Sequence, residues 1–176
     1  MKRGLVQVYT GEGKGKTTAA VGQTLRLLGR GYKVCFIQFF KRKPSGEIKA
    51  LKKFLPQIKV INFNQVHPFF SKLSSSELNN LKGKVKSDLK EVVKIIKSET
   101  YDLVVLDEVL IALHDKFILE KELLNLIDER PKGVELILTG RGATKKIIEK
   151  TDLVTEMKSI KHPFQKGIKA RRGIEY

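Results

Sequence analysis

The fold is decided by the stretch Thr10-Gly11-Glu12-Gly13-Lys14-Gly15-Lys16-Thr17-Thr18. It follows an apolar segment at residues 5–9 that is typical of a strand, and it precedes residues 17–28, which predict a helix. Glycines in such a loop allow successive backbone N–H groups to point inward at an anion, at the positive end of the helix. The sequence therefore predicts a phosphate-binding loop in which Lys16 supplies a charge and the hydroxyl of Thr17 can ligate Mg²⁺.

The loop departs from the usual phosphate-loop pattern G-x-x-x-x-G-K-[ST] at its first position. Thr10 stands where the pattern has glycine, and the glycines at 11, 13 and 15 make a variant loop instead. The alternative is a glycine-rich turn that binds nothing. The position between a strand and a helix favours the phosphate loop.

A second candidate site follows the apolar run at residues 103–106, where Asp107 and Glu108 stand side by side. In open α/β sheets, ligands bind at the carboxyl ends of the strands. A carboxylate beside the Thr17 hydroxyl could hold Mg²⁺ directly or through water, and the ion would neutralise charge on a triphosphate. The alternative role for this pair is capping a helix N-terminus.

A third motif, Thr139-Gly140-Arg141-Gly142-Ala143, follows the apolar run at residues 134–138. It would place the Arg141 guanidinium at the same edge of the sheet, where it could bind phosphate or ribose. The alternative is an exposed arginine in a turn. Residues 161–176 mix basic, aromatic and glycine residues without a period, and their composition suits a tail, a docking patch or a nucleic-acid patch.

Turn residues punctuate the chain at intervals suited to alternating strands and helices. This pattern predicts one α/β domain over residues 1–176, with a mostly parallel six-stranded sheet flanked by helices. Ser74 and Glu77 offer a capping box for a long amphipathic helix. The predicted strands are 5–9, 33–39, 59–63, 103–106, 134–138 and 153–157, and the predicted helices are 17–28, 46–54, 74–99, 119–128 and 144–150.

Composition limits the class of protein and of partner. The chain has 176 residues and a formal net charge of +16. This positive charge favours an anionic binding partner, which could be nucleotide phosphates, nucleic acid or an acidic protein. The alternative is a lysine-rich solvated surface. The longest apolar runs are too short for a membrane span, and Cys35, the single cysteine, excludes an intrachain disulfide. The start of the chain is not typical of a signal peptide, so we expect a cytoplasmic protein.

The motifs taken together, in their order along the chain, resemble the CobA/BtuR-type cob(I)alamin adenosyltransferases. Phosphate loops are shared by many enzymes, whereas Thr-Glu-Met followed by Lys-His-Pro-Phe and the Gly-Ile-Glu ending are specific to this family. The segments that carry the resemblance are residues 11–20, 106–108, 139–143, 152–157, 161–164, 167–170 and 173–176.

The resemblance implies transfer of the 5′-deoxyadenosyl group of ATP to the cobalt of a reduced corrinoid, leaving triphosphate. It also implies a RecA-like phosphate-loop fold that is usually a homodimer. By position, Lys16, Thr17 and Glu108 would serve catalysis, and Thr17, Asp107 and Glu108 would hold Mg²⁺. The residues expected to bind ATP or the corrinoid are Gly11, Glu12, Gly13, Lys14, Gly15, Lys16, Thr17, Thr18, Phe69, Phe70, Arg141 and His162.

Phe69 and Phe70 correspond to the aromatic residues with which the family displaces the lower ligand of the corrinoid. Many members have a tryptophan in this region, and this chain has none. The alternative is two phenylalanines in an ordinary hydrophobic patch. Cob(I)alamin is itself the nucleophile, so the reaction needs alignment and charge stabilisation but no general base. A catalytic triad is accordingly not expected.

The resemblance also suggests reduced flavodoxin, an acidic protein, as the electron donor. Its encounter could be steered by Lys41, Arg42, Lys43, Lys52 and Lys53. The main rival function is a phosphate-loop ATPase or kinase that acts with nucleic acid and uses Glu108 as a base for water. A nucleic-acid-binding module without enzymatic activity would explain the charge but would leave the phosphate loop without a role.

Overall fold

Six parallel strands form one sheet in a computed structural model that describes residues 3–41, 46–68 and 73–174. The strands are β1 (Val6–Thr10), β2 (Val34–Gln38), β3 (Ile58–Asn62), β4 (Leu103–Asp107), β5 (Glu135–Thr139) and β6 (Leu153–Glu156). The α-helices are α1 (Lys16–Leu28), α2 (Gly46–Leu51), α3 (Ser75–Lys97), α4 (Val109–His114), α5 (Glu120–Asp128) and α6 (Lys145–Lys150), and 3₁₀ turns span Lys52–Phe54 and Pro163–Lys166.

Strand β4 shows why the sheet is covered on both faces. All five of its residues are buried, and its side chains alternate between two cores as the pleat requires. Val104 and Leu106 pack in the core that includes residues of α3, α4 and α5. Leu103 and Val105 pack in the core that includes residues of α1 and α2.

The strand order, β3-β2-β4-β5-β1-β6, brings the predicted motifs to one edge of the sheet. Strand β5 lies between β1 and β4, with Tyr9 paired to Thr139 and Leu106 paired to Leu138. Strand β2 pairs with β4, so that Gln38 lies opposite Asp107. The phosphate loop, the carboxylates and the Thr139 loop all leave the sheet at its carboxyl edge.

The predicted six-stranded α/β fold is confirmed, and no strand end differs from its prediction by more than one residue. The capping box is also present: Ser74 N–H donates to Glu77 Oε2 at 2.8 Å, and Glu77 N–H donates to Ser74 Oγ at 3.3 Å. The helix it begins ends at Lys97 rather than Glu99, because Glu99 takes a left-handed φ of 51°. The predicted helix at 46–54 becomes a 3₁₀ turn after Leu51.

Helix α4 was not predicted. It starts directly after Glu108 and has six residues, so neither a loop nor a full period of apolar positions marks it in the sequence. Within the described ranges, none of the helices is long and apolar enough to cross a membrane.

Candidate active site

The loop at residues 11–15 needs its glycines for two different reasons. Gly11 and Gly15 have φ values of 95° and 118°, in the region that side chains with a Cβ rarely adopt. Gly13 is needed for close approach, since a Cβ there would lie 2.7 Å from the carbonyl oxygen of Met157. Gly13 N–H donates to that same oxygen at 2.6 Å. Gly13 therefore fixes the loop on the segment after β6, and its N–H is not directed at a ligand.

Lys16 fills the centre of this loop. Its ammonium group donates to the carbonyl oxygens of Gly11 at 2.6 Å and of Gly13 at 2.8 Å, and the residue is only 8% exposed. Burial lowers the pKa of Lys16, and the charge of Glu108 acts in the opposite direction. The structure thus holds a cation at the centre of the glycine-rich loop.

Asp107 is the centre of a buried hydrogen-bond network at the end of β4. Its Oδ1 accepts from the hydroxyls of Thr17 and Thr139, each at 2.8 Å. Its Oδ2 accepts from Gln38 Nε2 at 3.1 Å and lies 4.0 Å from Lys41 Nζ. The structure therefore brings the predicted Thr17 and Asp107 into direct contact. Gln38 was missed, and Thr139 was named only as the first residue of the Arg141 motif, without a role of its own.

Glu108 has an unusual backbone and an unusual carboxylate. Its φ of 64° is left-handed, and its N–H donates to Thr139 Oγ1 at 3.0 Å. Burial raises the pKa of Glu108, and the neighbouring charge of Asp107 raises it further. Its Oε2 is buried and has no hydrogen-bond partner in the part of the chain that the structure describes. A buried carboxylate oxygen without a donor is suited to a cation.

Arg141 crosses the cleft from the loop after β5. Its Nη1 lies 2.9 Å from Glu12 Oε2, and both side chains are more than half exposed. An exposed pair of this kind contributes little to stability, so it can separate when an anion competes for the guanidinium. The structure therefore brings Arg141 to the phosphate loop.

The C-terminal segment passes back over the phosphate loop. Lys14 Nζ donates to the carbonyl oxygen of Ile174 at 2.9 Å. His162 lines the cleft, and its Nδ1 accepts from Phe164 N–H at 3.2 Å. The segment that composition alone left without a definite role thus forms part of the site.

Glu108, Arg141, His162 and the phosphate loop from Glu12 to Thr18 line one open cleft of about 1160 Å³. Its far side is formed by Phe40, His67, His114 and Asp115, which sequence reasoning did not place in the site. Phe40 follows β2 and His67 follows β3, whereas His114 and Asp115 are adjacent at the end of α4, and no motif relates these three positions. Phe69 and Phe70 lie outside the described residues.

The described residues contain no group of three or more His, Cys, Asp or Glu side chains arranged to hold a metal ion. A cation beside Thr17 and Glu108 would therefore take its other ligands from phosphate oxygens and water. That is the usual way in which Mg²⁺ is bound with nucleotides.

Comparisons with known proteins cover nearly the whole chain. Residues 2–176 match the family model described as ATP:corrinoid adenosyltransferase BtuR/CobO/CobP. A corrinoid adenosyltransferase of Sinorhizobium sp is 34% identical, with 99% of this chain and 81% of that protein aligned. The corrinoid adenosyltransferases of Pseudomonas aeruginosa and Escherichia coli K12 are 34% and 32% identical over 99% of this chain and 85% and 87% of their own lengths.

A comparison of structures supports the fold class independently. A KaiC-like protein from the hyperthermophilic archaeon Pyrococcus horikoshii superposes with a TM-score of 0.56 and 16% identity. The match covers 90% of this chain and 74% of that chain. At this identity the likeness concerns the fold alone, and the predicted phosphate-loop fold is confirmed.

Proposed function

The chain belongs to the family of ATP:corrinoid adenosyltransferases BtuR/CobO/CobP, and from this premise we propose how its cleft performs the family's reaction. The enzyme transfers the 5′-deoxyadenosyl group of ATP to the cobalt of a reduced corrinoid. The cobalt supplies the electron pair for a new cobalt–carbon bond, the carbon–oxygen bond at the ribose 5′ position breaks, and triphosphate leaves with that bond's electrons.

One observation carries the assignment of residues: the phosphate loop, Glu108 and Arg141 line the same cleft. The reaction requires the cobalt, the 5′ carbon and the leaving oxygen to be aligned, and it requires charge on the departing triphosphate to be stabilised. In this proposal, loop N–H groups, Lys16 and Arg141 bind the triphosphate. Lys16 then exchanges its contacts with the Gly11 and Gly13 carbonyls for phosphate oxygens.

A magnesium ion fits the oxygen atoms at the end of β4. The Thr17 hydroxyl and the unpartnered Oε2 of Glu108 are suitable ligands, and Asp107 orients Thr17 through the 2.8 Å hydrogen bond. When bound, magnesium neutralises charge on the triphosphate. Asp107 already accepts from two hydroxyls and an amide, which supports an orienting role for it.

For the corrinoid side of the cleft we keep Phe69 and Phe70 as the proposed aromatic contacts. They directly follow His67 and Pro68 in the chain. Because His67 lines the cleft, this position in the sequence supports the assignment.

The deciding experiment incubates the protein with Mg-ATP and a chemically reduced corrinoid under anoxic conditions. The expected result is a light-sensitive absorbance from the cobalt–carbon bond, together with release of triphosphate. Release of ADP and phosphate without that absorbance would instead favour the rival ATPase or kinase.

Reduced flavodoxin remains the proposed electron donor. Lys52 and Lys53 are exposed on their 3₁₀ turn and are available to steer an acidic partner. Lys41 lies in the cleft near Asp107 instead, and Arg42 and Lys43 lie outside the described residues. Replacing Lys52 and Lys53 with glutamate should slow turnover driven by flavodoxin and spare turnover driven by a chemical reductant. Equal loss in both assays would contradict the proposal.

We also propose a homodimer in the cytoplasm. Exposed apolar side chains on the C-terminal segment support self-association, among them Ile160 at 93% and Phe164 at 75% exposure. Cys35 is buried and not in a disulfide, which suits a reducing compartment. Light scattering on the purified chain measures the mass directly, and a monomer at micromolar concentration would count against the dimer.

A further inference from the structure

Asp115 joins two histidines on the side of the cleft away from the phosphate loop. Its Oδ2 lies 2.5 Å from His67 Nε2, and its Oδ1 lies 2.6 Å from His114 Nδ1. Each carboxylate oxygen of Asp115 is thus hydrogen-bonded to a different imidazole ring. His67 comes from the segment after β3, whereas His114 ends α4 and Asp115 follows it.

The Asp115 carboxylate determines which ring nitrogens of the cluster donate. Burial raises the pKa of Asp115, but hydrogen bonds from His114 and His67 outweigh burial, and the resulting pKa lies below its usual value. Asp115 is therefore ionised at neutral pH and can only accept. The two ring nitrogens that face it must donate, and Nε2 of a neutral His114 is then an acceptor.

The place of His114 in the cleft is fixed by two neighbours. Its ring lies on Gly142, where a Cβ would be 2.4 Å from the ring carbon Cδ2. Asp115 holds the ring from the other side. The His114 side chain is nevertheless 63% exposed, so its outer nitrogen is accessible from the cleft.

An aromatic patch lies beside the cluster. The ring centroids of Phe40 and His67 are 5.1 Å apart, and those of Phe40 and Phe117 are 5.2 Å apart. The cleft wall at this point therefore combines apolar ring surface with a hydrogen-bond acceptor. A flat apolar ligand whose rim carries N–H donors would match both features.

The cleft has room for such a ligand next to a nucleotide. Helix α4 separates Glu108 from Asp115 by seven residue steps, or about 10 Å. The volume of about 1160 Å³ exceeds the roughly 300–1,000 Å³ that is typical of a pocket for one drug-sized ligand. The cluster thus lies at the opposite end of α4 from Glu108 but inside the same cleft.

We propose that His114 binds a side-chain amide on the rim of the corrinoid and that Asp115 and His67 position the ring of His114 for this contact. The inference rests on the proposed function. This inference assigns part of the corrinoid-binding site to residues that belong to none of the sequence motifs. The amide N–H donates to His114 Nε2, while Asp115 keeps the ring in the tautomer that accepts.

The test compares two corrinoids that differ only at the rim. Cobinamide carries side-chain amides, whereas its counterpart with methyl esters in their place has no N–H donors there. Each is titrated into the full chain and followed by absorbance, and KM values for corrinoid and ATP are measured in parallel. His114→Ala should weaken cobinamide binding about 5- to 10-fold, leave binding of the ester unchanged and leave the KM for ATP unchanged.

Further variants separate binding from structure. His114→Gln retains an acceptor near the position of Nε2 and should recover most of the cobinamide affinity. Asp115→Asn should reduce the preference for amides over esters, because the amide side chain no longer fixes the tautomer of His114. Lys145→Ala, at a side chain that is 89% exposed on α6, is the matched control and should change none of these values.

Three outcomes would overturn the inference: no loss with His114→Ala, equal loss for both corrinoids, or a matching rise in the KM for ATP. The last would assign His114 to the nucleotide. Failure of the proposed function is a different result, namely no cobalt–carbon bond formed by the unchanged enzyme. The binding titrations do not depend on that bond.

Discussion

Thr139 is the residue that ties both carboxylates of the site to the sheet. Its hydroxyl donates to Asp107 Oδ1 and accepts from Glu108 N–H, and it is completely buried. Thr139→Val keeps the shape and removes the hydroxyl. We expect the free energy of unfolding to fall by about 1–3 kcal/mol, because Glu108 N–H loses its partner. Urea denaturation measures this loss.

The same substitution should also weaken Mg-ATP binding, because Asp107 and Glu108 lose their common support. Thr139→Ser is the control, since it keeps the hydroxyl and should retain most of the affinity. Full Mg-ATP affinity in Thr139→Val would show that the hydroxyl serves stability alone.

Glu108 should show opposite effects on stability and on activity. Because its pKa is raised in the folded protein, ionising it costs stability as pH rises from the unfolded pKa to the folded one. Glu108→Gln removes that cost, so we expect a higher Tm than the unchanged protein at pH 8 and a smaller difference at pH 4. Calorimetry at the two pH values measures the difference in Tm between Glu108→Gln and the unchanged protein, and its sign.

The affinity of Glu108→Gln for Mg-ATP should fall, although its stability should rise. If Glu108 helps to hold magnesium, Glu108→Gln should lower the affinity for Mg-ATP by about 10- to 100-fold, as is usual for residues around a metal. A Glu108→Gln enzyme that is both more stable and fully active would exclude Glu108 from the metal site.

At the scale of elements, the phosphate loop and the segment after β6 form one unit. Gly13→Ala places a Cβ 2.7–2.8 Å from backbone atoms of Met157 and Lys158, which cannot move away as a side chain could. We expect loss of ATP binding together with lower stability. Gly22→Ala, in α1 with nothing within 4 Å of the new Cβ, is the matched control and should raise stability by about 1 kcal/mol. Unchanged ATP affinity in Gly13→Ala would show that the loop can adopt another shape.

The elements also show how far the sequence could be interpreted. Strands β2, β4 and β5 are predictable because they are continuous apolar runs, and the loop is predictable because glycine and lysine recur at fixed spacing beside a strand. Helix α4 is not predictable, since its six residues follow the strand after only Asp107 and Glu108 and are too few to show a helical period. Asp107 was predictable as a polar residue at a strand end, but its contacts with Gln38 and Thr139 depend on the strand order.

At the scale of the whole molecule, nucleotide binding should raise the free energy of unfolding. A ligand that binds only the folded state at 100 times its Kd adds about 2.7 kcal/mol. For a chain of this length that corresponds to a rise in Tm of about 5–10 °C. Differential scanning fluorimetry with and without Mg-ATP measures it, and Gly13→Ala should show no rise. The absence of a shift in the unchanged protein would contradict nucleotide binding in the cleft.

Some residues of the site can be predicted from the sequence, whereas others cannot. Lys16, Thr17 and Glu108 belong to local motifs, whereas His67 meets Asp115 only because the end of α4 packs against the segment after β3. A local motif can be recognised because its residues are adjacent in the sequence. A contact between residues far apart in the sequence leaves no such pattern. This is why the phosphate-loop side of the cleft could be predicted from the sequence and the opposite wall could not.

The contact between Gly13 N–H and the Met157 carbonyl has a consequence for biosynthesis. The loop near the start of the chain is held in shape by residues that the ribosome adds much later. A nascent chain that already contains the whole glycine-rich motif still lacks the strand that holds it. Capture of ATP should therefore begin only when translation has passed β6 and that strand has emerged from the exit tunnel.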